Sequence, residues 1–168
     1  LILLKISTII LLALFPSIML PAYAQEAVVI DDDFVVEKYV TGICCGITTM
    51  AFIGDDLLVL QKTTGQVRLI RDGVEQAQPV VDENVTNEQE QGMLGIATVG
   101  KKVYLYFTES TQDGGLPISK RVYSYDWDGS KLVNRTLVKD LPQTQGYHNG
   151  GAMVTGLDGQ VYLVVGDT

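Results

Sequence analysis

Basic residues are scarce in this chain: 12 Lys and Arg stand against 20 Asp and Glu in 168 residues, a formal net charge of −8. Neutralising phosphates needs clustered cations, so nucleic acid is excluded as a partner and the surface is that of an acidic soluble protein. Cysteine is nearly absent. Cys44 and Cys45 are adjacent and are the only two, which leaves no disulfide scaffold and no Cys-X-X-Cys spacing for a metal. An even cysteine count in an exported protein suggests a disulfide, but neighbouring cysteines can close only a strained ring, so two buried thiols in the first strand of the core are the expected arrangement and a disulfide is the alternative. Histidine occurs once, and any imidazole chemistry must therefore come from His148. Helical periodicity is missing beyond the first two dozen residues. A parallel sheet needs helical crossovers, so their absence points to an all-β, antiparallel meander.

The one long apolar run, Ile6 to Leu20, follows Lys5 and precedes Ala22-Tyr23-Ala24. Small residues at those two alanine positions are what a signal peptidase reads, so residues 1–24 are expected to be a signal peptide and Gln25 the mature start. The expected location is secreted, extracellular or periplasmic, with no stable membrane insertion after cleavage. A membrane anchor is the competing reading, but the run is short for a span of ~20 residues and is interrupted by Ser7, Thr8, Pro16 and Ser17. Residues 25–37 read as an acidic leader, in which Asp31-Asp32-Asp33 is a solvated charge run that lacks the further ligands a cation site needs. Asn84-Val85-Thr86 and Asn134-Arg135-Thr136 fit glycosylation acceptors.

Three segments share one plan, a strand, a tight turn and a second strand rich in Val, Leu and Tyr. They are Thr48 to Gln61 around Gly54-Asp55-Asp56, Leu94 to Thr108 around Val99 to Lys102, and Ala152 to Val165 around Gly156 to Gly159. Comparable positions Leu57, Val103 and Val161 recur after 46 and 58 residues, the scale of a propeller blade. Gln66 to Arg71, Val122 to Trp127 and Lys131 to Val138 supply further strands, each of the first two ending at Asp-Gly. An immunoglobulin-like sandwich is the structural alternative, and it predicts no blade-length repeat. The mature part is well below the size of a closed propeller of four or more blades at ~40–50 residues each, so the chain reads as an N-terminal fragment.

The third segment carries the candidate chemistry. Asp158-Gly159 makes Ala152 to Thr155 and Gln160 to Val165 a hairpin, and a loop of Gly156 to Gly159 pairs His148 with Asp167 at its open end. A two-residue loop shifts that pairing by two. A neutral imidazole can take a proton from a hydroxyl, and a carboxylate accepting its other N–H fixes the tautomer. Gly150 and Gly151 let the backbone approach a neighbour or ligand closely. Glu90 and His148 precede successive first strands, and in a propeller such positions gather at one mouth of the central channel.

His148-Asn149-Gly150-Gly151-Ala152-Met153, then Gly156 to Tyr162 and Gly166-Asp167, resembles the signature of the glucose/sorbosone dehydrogenase family, the soluble pyrroloquinoline-quinone sugar dehydrogenases. Gly46 to Phe52 with Gly65 to Arg68 resembles that family's opening blade, and Glu90 to Ala97 with Val103 to Phe107 its second. The likeness spans residues 38–168 and implies a six-bladed β-propeller, of which this chain covers about two blades and the start of a third. It implies a quinoprotein oxidoreductase that oxidises the anomeric hydroxyl of an aldose, with His148 as base, Asp167 as its partner and Glu90 lining the quinone pocket. Pyrroloquinoline quinone and calcium are implied cofactors, a sugar is the substrate and the electron acceptor is open. The quinone's basic partners and the calcium ligands belong to later blades, so the fragment alone is expected to be inactive. A non-catalytic secreted propeller that binds carbohydrate or protein, and a metal-dependent lactonase-type propeller, are the alternatives on the same fold.

Overall fold

The computed structural model describes residues 28–141 and 145–166; residues 1–24, read above as a signal peptide, and Asp167 lie outside them. The chain divides into two units, residues 1–37 and 38–168. In the first, the described residues 28–37 are exposed, with the Asp33 N–H donating to the Asp31 carboxylate at 3.0 Å.

The second unit is built from antiparallel strands: β1 (Ile47–Ile53), β2 (Asp56–Gln61), β3 (Gln66–Arg71), β4 (Val74–Glu75), β5 (Val81–Asp82), β6 (Met93–Val99), β7 (Lys102–Ser110), β8 (Pro117–Trp127), β9 (Leu132–Leu141), β10 (Met153–Thr155) and β11 (Val161–Leu163). They form three sheets. The first runs β1-β2-β3-β4, with β5 also on β3; the second runs β6-β7-β8-β9; the third is the hairpin β10-β11. The tight turns follow the chemistry read from the sequence: Gly54, Gly73, Gly100 and Gly159 all have positive φ, which glycine adopts without the Cβ penalty.

Side-chain alternation explains the stacking. On β7, Val103, Leu105 and Phe107 join the core shared with Leu58, Leu60, Val67 and Leu69 of the first sheet. The intervening Tyr104 and Tyr106 belong to a second cluster with Met153, Leu163 and Val165 of the hairpin region. The middle sheet is thus covered on both faces, and burying each large apolar side chain contributes about 1.5–3 kcal/mol. The innermost strands are joined by a repeated contact in which a threonine hydroxyl donates to a carbonyl of the preceding sheet. Thr98 donates to Phe52 at 2.9 Å, and Thr155 to Thr98 at 2.8 Å. All-β sheets stacked in this way are two blades of a β-propeller and the start of a third.

Two expectations are corrected. Thr155 pairs with Val161 rather than Gln160, because the loop takes in Gln160: the Gly156 N–H donates to the Gln160 carbonyl at 2.8 Å and the Gly159 N–H to the Gly156 carbonyl at 3.0 Å. Over Met153–Thr155 and Val161–Leu163 the register is therefore one residue off the expected one. Cys44 and Cys45 are not buried thiols. They are joined by a disulfide and exposed, because β1 begins only at Ile47 and the chain turns before it, with positive φ at Cys45 and Gly46. The Gln61 side-chain amide holds the Cys44 carbonyl at 3.1 Å and the Thr63 hydroxyl holds the Cys45 carbonyl at 3.2 Å.

Candidate active site

Two loops meet at one end of the inner strands. The first runs from β5 into β6 and carries Glu90; the second runs from β9 into β10 and carries His148. They are tied backbone to backbone, since the Glu90 N–H donates to the Gly146 carbonyl at 3.0 Å. The Gln91 side chain donates to the Gln145 carbonyl at 3.2 Å. A Glu90 carboxylate oxygen in turn accepts the Asn149 N–H at 3.3 Å, which places that carboxylate beside the residue following His148.

The His148 turn depends on close backbone approach. His148 itself has φ +58, followed by Gly150 at +65 and Gly151 at +117. A Cβ on Gly150 would lie 2.3 Å from the Val164 carbonyl oxygen, and one on Gly166 would lie 2.3 Å from that of His148. These contacts are why the motif carries glycine there. The Gly166 N–H donates to the His148 carbonyl at 3.1 Å, so the arm ending at Gly166, the last described residue, meets the His148 turn. His148 is exposed, Glu90 is exposed, and Asn149 between them is fully buried.

Beneath the turn lies a polar floor that the sequence did not mark. The Tyr106 hydroxyl donates to the Asn149 carbonyl at 2.9 Å, and burial pushes its pKa up to about 12, so it stays a donor. The Asn149 amide donates to the Gly146 carbonyl at 2.8 Å, while its Oδ1 is buried without a partner among the described residues. Lys120 of β8 is fully buried and its Nζ likewise has no hydrogen-bond partner there. Burial pushes the Lys120 ammonium pKa down, and the Glu90 carboxylate acts against that. Tyr106 reads as ordinary apolar strand material and Lys120 sits in the polar run Ser119-Lys120-Arg121, so neither stands out by residue type. Asn149 was part of the quoted motif, and its place between His148 and paired glycines was the only available signal.

An exposed imidazole and an exposed carboxylate on adjoining loops suit proton transfer to or from a bound hydroxyl compound. Among the described residues, no group of three or more His, Cys, Asp or Glu side chains could hold a metal ion.

The sequence pattern of the family described as Glucose / Sorbosone dehydrogenase matches residues 47–168. No curated protein matches the chain. Among solved structures, the chain is similar to a Thermus thermophilus protein assigned as an oxidoreductase (glucose dehydrogenase), with 29% identity and a TM-score of 0.66 over 79% of this chain and 40% of that one. It is similar in fold to the aldose sugar dehydrogenase of Streptomyces coelicolor in its PQQ-bound form, with 23% identity and a TM-score of 0.64 over 77% of this chain and 40% of that one. The chain thus spans about 40% of the length of each.

Proposed function

Since the chain belongs to the glucose/sorbosone dehydrogenase family, we propose that the complete protein is an exported, quinone-dependent sugar dehydrogenase acting on the anomeric hydroxyl of aldoses, and that His148 is its base. The observation that carries this reading is the joining of the Glu90 and His148 loops through the Asn149 N–H. It leaves the His148 imidazole on a turn held by glycine contacts and by the Tyr106 hydroxyl.

In this reading the exposed His148 imidazole accepts the proton of the sugar hydroxyl, which raises the electron density on the attached carbon and favours departure of its hydride. No protein side chain can accept hydride, and pyrroloquinoline quinone, when bound, supplies that acceptor. The C–H and O–H bonds break, the C=O bond forms, and the proton resides on His148 until released to solvent. Asp167, adjacent to the Gly166 that pairs with His148, would orient the imidazole and stabilise its cationic form. Glu90 would line the quinone side of the mouth. Calcium enters by family likeness; among the described residues no group of three or more His, Cys, Asp or Glu side chains gathers that could hold it.

The test is turnover of an aldose by the complete protein supplied with pyrroloquinoline quinone and calcium. His148→Ala is expected to slow the chemical step by about 10²–10⁴-fold, the usual worth of a positioned base, with quinone binding retained. Asp167→Asn is expected to give a smaller defect through a misoriented imidazole. Failure of the intact protein to bind quinone would end the oxidoreductase reading and favour a binding propeller.

A further inference from the structure

The turn before β1 carries the disulfide between Cys44 and Cys45, and both residues are exposed. It stands before β1 as the Glu90 loop stands before β6 and the His148 turn before β10. Cys45 has φ +73, a left-handed backbone that a residue with a Cβ keeps only when its surroundings hold it there. Besides the ring, the holding contacts come from the turn between β2 and β3. The Gln61 amide donates to the Cys44 carbonyl at 3.1 Å, the Thr63 hydroxyl to the Cys45 carbonyl at 3.2 Å and the Lys62 N–H to the Gly46 carbonyl at 2.8 Å. That same turn grips the Glu90 loop. Lys62 Nζ donates to the Gln89 carbonyl at 2.8 Å, the Asn87 amide to the Thr63 carbonyl at 3.1 Å and the Met93 N–H to the Lys62 carbonyl at 3.0 Å. The Glu90 loop is in turn bonded to the His148 loop at Gly146 and Asn149. Hydrogen bonds and short chain segments therefore run without a break from the disulfide to the turn presenting His148.

We propose that Cys44–Cys45 is a thiol–disulfide exchange site for a dithiol reductant, and that its redox state sets how firmly the Glu90 loop and the His148 turn are held. The exchange and the loosening stand on the contacts alone; their effect on turnover rests on the dehydrogenase reading. A thiolate of the dithiol attacks one sulfur of the pair, a mixed disulfide forms, and the second thiolate of the dithiol resolves it. The Cys44–Cys45 S–S bond breaks and both sulfurs become thiols, while the dithiol gives up an electron pair and its protons and is left as a disulfide. Exposed disulfides are the ones open to such attack. The thiols stay on neighbouring residues, so re-closure is intramolecular and the change is reversible. With the ring open, Cys45 is free to leave the left-handed region. The Cys45 and Gly46 carbonyls then move off the Thr63 hydroxyl and the Lys62 N–H, and the Glu90 loop loses support at its Lys62 and Thr63 anchors.

The test treats the complete protein with dithiothreitol, blocks free thiols with iodoacetamide and maps the peptide holding Cys44 and Cys45 by mass spectrometry. Hydrogen exchange is followed at the Lys62, Glu90 and Asn149 amides. Both cysteines are expected to be alkylated after dithiothreitol and neither before it. Exchange at the three amides is expected to speed by about tenfold, within the range of coupling between contacting residues, while the Leu105 amide in β7 stays protected, which separates loosening from unfolding. Replacing dithiothreitol by its oxidised form before alkylation is expected to restore the parent pattern. The Cys44→Ser, Cys45→Ser double variant is expected to match the reduced parent and to show no further change with dithiothreitol. Turnover is read on that variant, since a dithiol also reduces quinones. Its kcat is expected to fall by about tenfold, short of the ~10²-fold that a misplacement of about 1 Å costs, with KM for sugar little changed. A disulfide that dithiothreitol leaves closed in the folded protein, or an opened one with Glu90 and Asn149 exchange unchanged, would overturn the proposal. Should the double variant fail to fold, exchange in the reduced parent decides. Faster exchange on reduction in a protein that oxidises no sugar in either state would remove the dehydrogenase reading and leave the exchange site standing; an active enzyme whose exchange ignores reduction would do the opposite.

Discussion

Gly150 shows how tightly the His148 turn is specified at the level of single residues. Its φ of +65 and the 2.3 Å approach of a would-be Cβ to the Val164 carbonyl predict that Gly150→Ala destabilises the protein by more than ~1 kcal/mol, the left-handed penalty alone, measurable by urea unfolding of the complete protein. Tyr106→Phe is expected to cost about 1–3 kcal/mol, because it leaves the Asn149 carbonyl without its donor in a buried place. The need for glycine after His148 was legible, since that residue type has few other reasons to occur twice in succession beside a histidine. The burial of Asn149 and Lys120 was not. Whether a polar strand residue faces water or a neighbouring blade depends on which sheet stacks on it, and that contact is made by residues far away in sequence.

β7, β8 and β9 carry an ionic network that makes a prediction about pH. Glu109 accepts hydrogen bonds from the Tyr123 hydroxyl at 2.8 Å, from Arg135 at 2.6 Å and from Arg121. Arg135 also lies over the Tyr123 ring, 3.8 Å from its centroid. Burial works to raise the Glu109 pKa, but the donors from Tyr123, Arg135 and Arg121 override it and hold the carboxyl below its ordinary 4.5. A depressed carboxylate gives stability that is present above its unfolded pKa and lost as pH falls through the folded one. Glu83 runs the other way: burial raises its pKa despite the Tyr125 hydroxyl at 2.7 Å, so its protonation in acid favours the fold. Glu109→Gln is therefore expected to cost about 1–3 kcal/mol at neutral pH, the cost of leaving partly buried donors short of their charged acceptor, and to flatten the loss of stability below pH 4.5. An acid limb as steep as the parent's, in urea titrations taken at successive pH values, would contradict this. The strands themselves were readable from alternation and Asp-Gly turns; β3 runs from Gln66 to Arg71 as expected. The hairpin register slipped by one because Gly156 and Gln160 close a loop whose length no residue type dictates. The disulfide at Cys44 and Cys45 stood only as the alternative to buried thiols for a related reason, as the turn before β1 takes both residues out of the strand.

Across the whole molecule, the described surfaces at the two ends of the stack are apolar: Met50 and Phe52 on β1, and Val154 and Tyr162 on the hairpin, are all more than half exposed. With the chain spanning about 40% of the similar structures, residues 25–168 produced alone are expected to self-associate in size-exclusion chromatography, as exposed sheet faces and edges do. The reading of Lys5, the apolar run and Ala22-Tyr23-Ala24 predicts a mature N-terminus at Gln25, which mass spectrometry of the secreted product checks; retention of residues 1–24 on a membrane-bound product would make the segment an anchor. The propeller was legible as a repeat of strand pairs, whereas the convergence of its loops on Asn149 needed the stacked sheets to be seen. The most direct test of the account is a single-turnover measurement of quinone reduction by an aldose in the complete protein, parent against His148→Ala. The account predicts a rate about 10²–10⁴-fold lower in the variant with quinone still bound; an unchanged rate would show that His148 is not the base.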